Sequence, residues 1–243
     1  MNQKQEGEKY SMPVGKRIYL ERQMPDPQIV AGFKGIPASN TADCMERNCA
    51  MNPRIKLMSN PDEEMVGPAF TVHTRAGDNL AIYAALRYCQ PGDVIVIDDE
   101  GDNTRSLIGE VMMSYLRDQK KIAGIVIDGP IRDIDNLQHW KLPIYATGTT
   151  PGGPYKEGPG ELNVPVACGN VSVNPGDVIL GDPDGIICIP RQDAPSILPK
   201  AQAFHRQDDA KAIAFSKGEV NLSWVDHSLK DKGFDIIDDV YRP

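Results

Sequence analysis

Three stretches of this chain carry residue types at spacings that could do chemistry. The first is Ile127-Asp128-Gly129-Pro130-Ile131-Arg132-Asp133, a buried-strand pattern that ends in an Arg–Asp pair. In open α/β sheets the carboxyl end of a strand is where ligands usually bind. Arg132 offers a permanently charged planar fork suited to a carboxylate or an enolate oxygen. Asp133 offers a hard oxygen ligand for Mg²⁺ or Mn²⁺. The second stretch, Ser106-Leu107-Ile108-Gly109-Glu110-Val111, opens a helix whose free N–H groups suit a small carboxylate, with Glu110 placed to stand near a cation on Asp133. The third is the acidic loop Asp98-Asp99-Glu100-Gly101-Asp102, which lacks EF-hand spacing and reads as a solvated turn. Plain structural explanations stand beside the first two. An Asp at a helix start is most often an N-cap, its Arg neighbour a surface charge, and a first-turn Glu answers the helix dipole.

The elements that must position these residues follow from the pattern. Residues 67–73, 92–98 and 122–128 read as strands, the last too short and too β-branched for a helix. Helices are expected after Asp78-Asn79, from about Gly109, and near Asp133. Ser39-Asn40-Thr41 is a plausible N-cap for a helix over the following residues. The pentapeptide Pro-Gly-Asp-Val-Ile occurs at 91–95 and at 175–179, and two similar strand entrances explain it better than a duplicated domain. Residues 149–160 form a Gly/Pro-rich loop whose Tyr155 and Lys156 could cover a site. Short strands follow near 164–167, 171–173, 178–180 and 186–189, and then a polar helical segment from Ala194 that Pro199 should kink or interrupt in its first turns. The sum is an α/β core at about 26–190, an N-terminal arm at 1–25 that looks loose and polar, and a C-terminal helical extension at about 191–243, all within one domain.

Bulk numbers narrow the classes. The chain has 243 residues, 40% hydrophobic and 25% charged, enough for a core without disulfides or metal staples. Its 26 Lys+Arg against 34 Asp+Glu give a net charge of −8, which disfavours nucleic-acid binding by counterion release. No apolar run reaches the ~20 residues of a membrane helix, and the polar start lacks a secretory h-region. The five cysteines are far apart and form no CxxC pair, as expected of reduced thiols in a cytoplasmic protein. GxxxxGK[ST], GxGxxG and HExxH are all missing, so P-loop, Rossmann and zinc-protease readings lose their usual support.

In this order the segments resemble the family named after regulator of ribonuclease activity A (RraA), and in particular its 4-hydroxy-4-methyl-2-oxoglutarate aldolase (HMG/CHA aldolase) branch. The matching residues are Thr41-Ala42-Asp43, GPAFTV (67–72), GDNLAIYAAL (77–86), PGDVIVID (91–98), IGEVM (108–112), AGIVIDGPIRD (123–133), PVACGNVSVNPGDVILGDPDGI (165–186) and Ile189-Pro190, about two-thirds of the chain. The N-terminal arm and the segment after about Gly218 lie outside it. The resemblance implies a β/β/α swivelling-type layered fold with helical terminal arms. It also implies a homotrimer or homohexamer with sites between subunits, and a divalent cation, Mg²⁺ or Mn²⁺, as cofactor. The implied partner is a small 2-oxo acid, with no nucleic acid and no membrane. It assigns Arg132 to pyruvate and its enolate, Asp133 to the metal, and Glu110 to metal-bound water. The backbone of Gly109, Glu110, Val111 and Met112 would receive the pyruvyl carboxylate. A further carboxylate, Asp208 or Asp209, would come from a neighbouring subunit. The implied reaction is retro-aldol cleavage of a 4-hydroxy-2-oxo acid to pyruvate, with oxaloacetate decarboxylation as a side activity. The family's founding member is instead a regulator that binds an RNA-degrading enzyme, so a non-catalytic binding protein is the rival reading. From Glu110 to Arg132 there are 21 intervening residues, one more than the usual aldolase spacing. An insertion near Lys120-Lys121, absorbed in the loop before the next strand, would be harmless. One absorbed inside the helix could turn Glu110 the wrong way.

Overall fold

A computed structural model describes residues 13–242. The chain divides into two compact units, the first running to Phe204 and the second beginning at His205. The first unit contains, in order, α1 (Pro27–Gly32), α2 (Ala38–Asp43), β1 (Lys56–Leu57), β2 (Met65–Thr74), α3 (Leu80–Tyr88), β3 (Val94–Asp98) and α4 (Glu110–Tyr115). It continues through β4 (Gly124–Asp128), β5 (Pro130–Ile131), α5 (Ile134–Leu137), β6 (Ile144–Ala146), β7 (Gly148–Thr149) and β8 (Gly160–Leu162). It closes with β9 (Val166–Cys168), β10 (Val171–Val173), β11 (Val178–Asp182) and β12 (Gly185–Ile189). Helix α6 (Ala194–Ser216) crosses into the second unit, which also holds α7 (Ser223–Asp231).

Parallel strands β2, β3, β4 and β6 form the centre of an eight-stranded mixed sheet. Strand β2 is ten residues long and changes partner along one edge. Its first residues pair antiparallel with β11 and its last three with β8, so the sheet curls. Both faces are buried, which is why the central strands read as unbroken apolar runs rather than alternating ones. On one face Ile95, Ile97, Ile125 and Ile127 pack against Ile82 and Ala85 of α3 and Met112 and Met113 of α4. On the other, Val94, Val96 and Val126 pack against Val166, Cys168 and Val173 of the β9–β10 hairpin and Ile179 of β11. A third cluster seats Ile197, Leu198 and Ala201 of α6 with Phe33 and Ile36 over Leu180 and Ile187. The layering is β/β/α. All five cysteines are free and four are buried, and burial lifts the Cys89 thiol to about 11.

The repeated Pro-Gly-Asp-Val-Ile does make two equivalent strand entrances. Asp93 accepts from Gln90 N (2.8 Å) and pairs with Arg22, while Asp177 accepts from Asn174 N (2.8 Å) and from Arg191 N (3.0 Å).

Four local expectations change. Residues 1–12 of the arm lie outside the described residues, but its described part is not loose. Gly15 and Arg17 accept backbone bonds from Gly160 and Leu162, Tyr19 donates to Leu162 (3.2 Å), and Arg17 and Arg22 pair with Glu161 and Asp93. Helix α2 begins at Ala38, ahead of Ser39, because Asp182 on distant β11 caps Ala38 N (2.8 Å). Helix α6 continues through Pro199, so losing one N–H does not break it. In the acidic loop Glu100 and Asp102 are solvent-accessible, but Asp99 is fully buried beneath the turn at Gly77.

Candidate active site

The cleft lies at the carboxyl ends of the parallel strands, on the helical face. Strand β4 delivers Gly129-Pro130-Ile131, and β5 is held on both sides. Leu107 N donates to Pro130 O (3.0 Å), Arg132 N to Ile108 O (3.2 Å) and Thr150 N to Ile131 O (3.0 Å). These bonds lay the 106–109 segment, the 130–133 segment and the Gly/Pro loop side by side. A cleft of about 330 Å³ opens between them, lined among others by Gly109, Val111, Met112, Arg132, Asp133 and Lys156. That volume suits a small ligand.

Asp133 occupies the N-cap position of α5 but does not cap it. Its backbone is left-handed (φ 64°, ψ 35°) and no side-chain bond reaches its own helix. This conformation is costly for a residue with a Cβ, less so for Asp, and residues held in it cluster at functional sites. The turn swings the carboxylate across to α4, where Oδ2 accepts from Glu110 N (2.9 Å). The plain structural explanation is thus partly realised: Asp133 caps a helix, but the neighbouring one. Arg132 Nε stands 3.8 Å from the same Oδ2, with both side chains nearly half exposed (47% and 41%).

Gly109 explains why a side chain is missing at the junction. A Cβ there would meet Asp133 Oδ2 at 2.3 Å and Arg132 Cγ at 2.9 Å. The close approach, not the backbone angle, requires glycine. Glu110 stands beside the cleft rather than in its wall, its Oε2 accepting from Asn136 Nδ2 of α5 (2.8 Å). Val111 has an 84% exposed side chain, and Met112 is buried beneath the cleft floor. Between Glu110 and Arg132 the helix passes into a π-helical turn, Leu116–Lys120, closed by left-handed Lys121. It lies within the helix but a full turn past Glu110, so the first turn of α4 is undisturbed.

Asp208 and Asp209 belong to the second unit. Asp208 is exposed, and Asp209 Oδ2 lies 3.7 Å from His205 Nε2.

Sequence reasoning missed three participants. Asn79, directly before α3, is buried. It donates from Nδ2 to Leu107 O (2.8 Å), and its Oδ1 has no partner among the described residues. Tyr83 also lines the cleft, and Asn136 orients Glu110. The signal for Asn79 was present in GDNL, since a buried amide with a spare acceptor marks a polar cavity. The Gly/Pro loop is fastened over the site by Arg105, which donates to Gly153 O (2.8 Å) and Tyr155 Oη (2.7 Å) and stacks on the Tyr155 ring at 4.0 Å.

The residues fit a hard divalent cation. Among the described residues Asp133 uses only Oδ2, on a side chain 41% exposed, and Glu110, whose N–H meets that oxygen, uses only Oε2 of its carboxylate. No group of three or more His, Cys, Asp or Glu side chains is gathered among the described residues, which suits an ion that keeps several waters rather than one in a protein cage.

Comparison with known proteins shows the family to which the chain belongs. The family model described as Aldolase/RraA, RraA-like, matches residues 38–188. A protein of Halalkalibacterium halodurans named "Putative 4-hydroxy-4-methyl-2-oxoglutarate aldolase" is 39% identical over 187 residues, covering 77% of this chain and 88% of that protein. A Bacillus cereus protein of the same name is 31% identical over 125 residues, covering 51% of this chain and 77% of that one. Among solved structures, Streptomyces coelicolor RraAS2, described as an unusual member of the RNase ES inhibitor RraA family, superposes with TM-score 0.70 at 27% identity, over 79% of this chain and 99% of that one. An uncharacterized protein from Pseudomonas syringae shares the fold, with TM-score 0.72 at 22% identity, over 82% and 97% of the two chains. The chain belongs to the RraA-like Aldolase/RraA family.

Proposed function

We propose that this protein is a divalent-metal-dependent carbon–carbon lyase that cleaves a 4-hydroxy-2-oxo acid of the 4-hydroxy-4-methyl-2-oxoglutarate type to pyruvate, and that it also decarboxylates oxaloacetate. The observation that carries this reading is the convergence of Arg132 and Asp133 on one cleft at Gly109, both half-exposed and neither saturated by protein partners. The names of the relatives support the same class.

Asp133 would hold a Mg²⁺ or Mn²⁺ ion, which would supply Lewis-acid polarisation of the substrate's 2-oxo group. The chain's own residues do the rest. Arg132 places its guanidinium against the oxygen that becomes the enolate, where negative charge is greater in the transition state than in the ground state. The carbon–carbon bond between C3 and C4 breaks, and its electron pair passes into the enolate. The proton of the 4-hydroxyl leaves toward the Glu110 carboxylate through an intervening water, with Asn136 Nδ2 fixing that carboxylate. C4 leaves as the carbonyl carbon of the second product, and the proton returns through the same water to C3 to give pyruvate. Backbone N–H groups of Val111 and Met112, in the first turn of α4, face the substrate carboxylate. Asp208 of a neighbouring subunit in a homotrimer or homohexamer adds the remaining negative charge.

Pyruvate release from oxaloacetate and from several 4-hydroxy-2-oxo acids, measured with Mg²⁺ or Mn²⁺ and again with chelator, tests the reading. Release that chelator abolishes and added metal restores is expected. Inactivity toward all of them would favour the rival, a binding protein for an RNA-degrading enzyme, which the likeness to RraAS2 supports.

A further inference from the structure

We propose that the pocket beneath the N-terminal arm is a second ligand site, built for a small neutral polyol such as a sugar ring. The pocket lies where β2 changes partner from β11 to β8, and it holds about 420 Å³. Arm residues between 17 and 23 form one wall, and Asn163, Pro165 and Pro175 belong to the other. The arm is seated closely there. Leu162 N donates to Arg17 O (3.0 Å), Arg191 Nη2 donates to Gln23 Oε1 (2.8 Å), and the Gln23 carbonyl stands where a Cβ on Gly176 would be. The arm and Arg191 both lie outside the family match, which covers residues 38–188.

Two buried polar atoms of the lining residues have no partner among the described residues: Arg22 Nε and Asn163 Oδ1. The Arg22 side chain is 6% exposed and Asn163 is 7% exposed. Asn163 Nδ2 donates to Tyr19 O (2.8 Å), which fixes the amide so that Oδ1 is the unmet atom. The Asn163 backbone is left-handed (φ 53°), a strained conformation that clusters at ligand clamps and active sites. Burying a donor or an acceptor unmet is costly, and a ligand that matches it recovers the cost.

Charge decides the class of ligand. Arg17, Arg22 and Arg191 all line the pocket, but each already faces a carboxylate. Arg17 pairs with Glu161, Arg22 pairs with Asp93, and Arg191 Nη1 lies 3.6 Å from Asp177. Glu21 adds a further acid to the lining, so no surplus positive charge remains to draw an anion. The unmet demand is one N–H and one amide oxygen. A hydroxyl accepts from the first and donates to the second, so a ligand with several hydroxyls meets both without bringing charge. Tyr19, Val164, Pro165 and Pro175 offer apolar surface to its C–H faces. Both unmet atoms are closed to water, so the ligand enters with an outward shift of the arm, which then closes on it. The site does not depend on which reaction the cleft performs.

Calorimetry and amide hydrogen exchange on the full-length chain test it. The probes are D-ribose, D-glucose and myo-inositol, with malate as the charged comparator, each taken to about 50 mM so that millimolar affinity is detected. At least one of the three polyols is expected to bind saturably, with malate about tenfold weaker or silent at the arm. The bound polyol should slow exchange over residues 17–23 and 161–165 and leave 106–112 at the cleft unchanged. Arg22→Lys keeps a cation against Asp93 but removes the Nε donor, and Asn163→Gly keeps the left-handed turn but removes the amide. Each should weaken binding about tenfold in a chain that still melts cooperatively. If either variant does not fold, the exchange pattern of the wild type decides by itself. Failure of all three polyols to bind, which leaves ordered water as the occupant, overturns the proposal. So do slowed exchange confined to the cleft, unchanged affinity in both folded variants, or malate held at the arm as tightly as the polyol.

Discussion

The motif that ends β4 contributes to two Arg–Asp pairs that do opposite work. Asp128, the last residue of the strand, points to the β-layer face and is 3% exposed. It takes a two-pronged grip from Arg54, at 2.9 Å from Nε and 2.6 Å from Nη2, and a further bond from Gly169 N at 2.8 Å. Four and five residues later, Arg132 and Asp133 stand 3.8 Å apart at the cleft, with most of their bonding capacity unspent. The same residue types are consumed by structure on one face of the sheet and left available on the other. What separates them is a half-turn of strand register followed by the Gly129-Pro130 break, which carries the chain round to the helical face.

Substitutions at the two arginines should therefore fail in different ways, and this is the sharpest way to break the comparison. Arg132→Ala should lower kcat/KM for pyruvate release by about 10²–10³-fold, as removal of a donor to a developing oxyanion does, and Asp133→Ala should abolish metal-dependent turnover. The thermal midpoint of Arg132→Ala should stay close to wild type, because its side chain supports no buried group. Arg54→Ala should do the reverse. It leaves the Asp128 carboxylate buried with only one remaining donor, at a cost of about 2 kcal/mol after allowing for Arg54's partial exposure, read as a lower urea midpoint with kcat nearly unchanged. A variant at Arg132 that unfolds while keeping its specific activity would erase the distinction.

The acidic loop offers the next contrast, between Asp99 and the exposed carboxylates around it. Burial raises the Asp99 carboxyl to about 8, and neighbouring Asp102, Asp98 and Glu100 push the same way, against the single bond from Gly77 N. A carboxyl whose folded pKa lies above its unfolded one is protonated in the fold where it is ionised in the unfolded chain. Its contribution is therefore complete in acid and is lost as pH rises from about 4 to about 8. Asp99→Asn keeps the acceptor for Gly77 and removes the ionisation. It should gain stability over wild type progressively between pH 5 and pH 8, with the thermal midpoints converging in acid. A constant difference across that range would show that the Asp99 carboxyl titrates at the same pH in the fold as in the unfolded chain.

Much of the layered fold was legible because short β-branched runs such as VIVID (94–98) and GIVID (124–128) read as strands buried on both faces. The Arg132–Asp133 and Gly109–Glu110 segments were legible because each follows such a strand. What was hidden depends on partners remote in sequence. Asp182 capping Ala38, Arg22 of the arm reaching Asp93, and Asp99 folding under Gly77 are each decided by tertiary packing that no local pattern encodes. The π-turn at Leu116–Lys120 belongs to the same class. No local pattern marks where the helix widens; the buried Leu116 and the left-handed Lys121 fix it.

The smallest expected effect lies at Asn136, and it tests whether Glu110 works through its orientation. Asn136 touches neither Arg132 nor Asp133 by its side chain. Among the described residues its Nδ2 donates to Glu110 Oε2 at the exposed edge of α4 and α5. Asn136→Ala frees that carboxylate to rotate, and an exposed bond of this kind is worth about 0.5–1.5 kcal/mol. If Glu110 receives the hydroxyl proton from a fixed position, kcat should drop about three- to tenfold with KM unchanged. Asn136→Asp, which sets a second carboxylate against Glu110, should shift the acidic limb of the kcat–pH profile upward, because a neighbouring negative charge makes Glu110 harder to ionise. A merely structural Asn136 would move the thermal midpoint and leave that limb in place. Equal kcat and an unmoved profile in both variants would remove Glu110 from the proton path and leave Arg132 and Asp133 to carry the chemistry of the cleft.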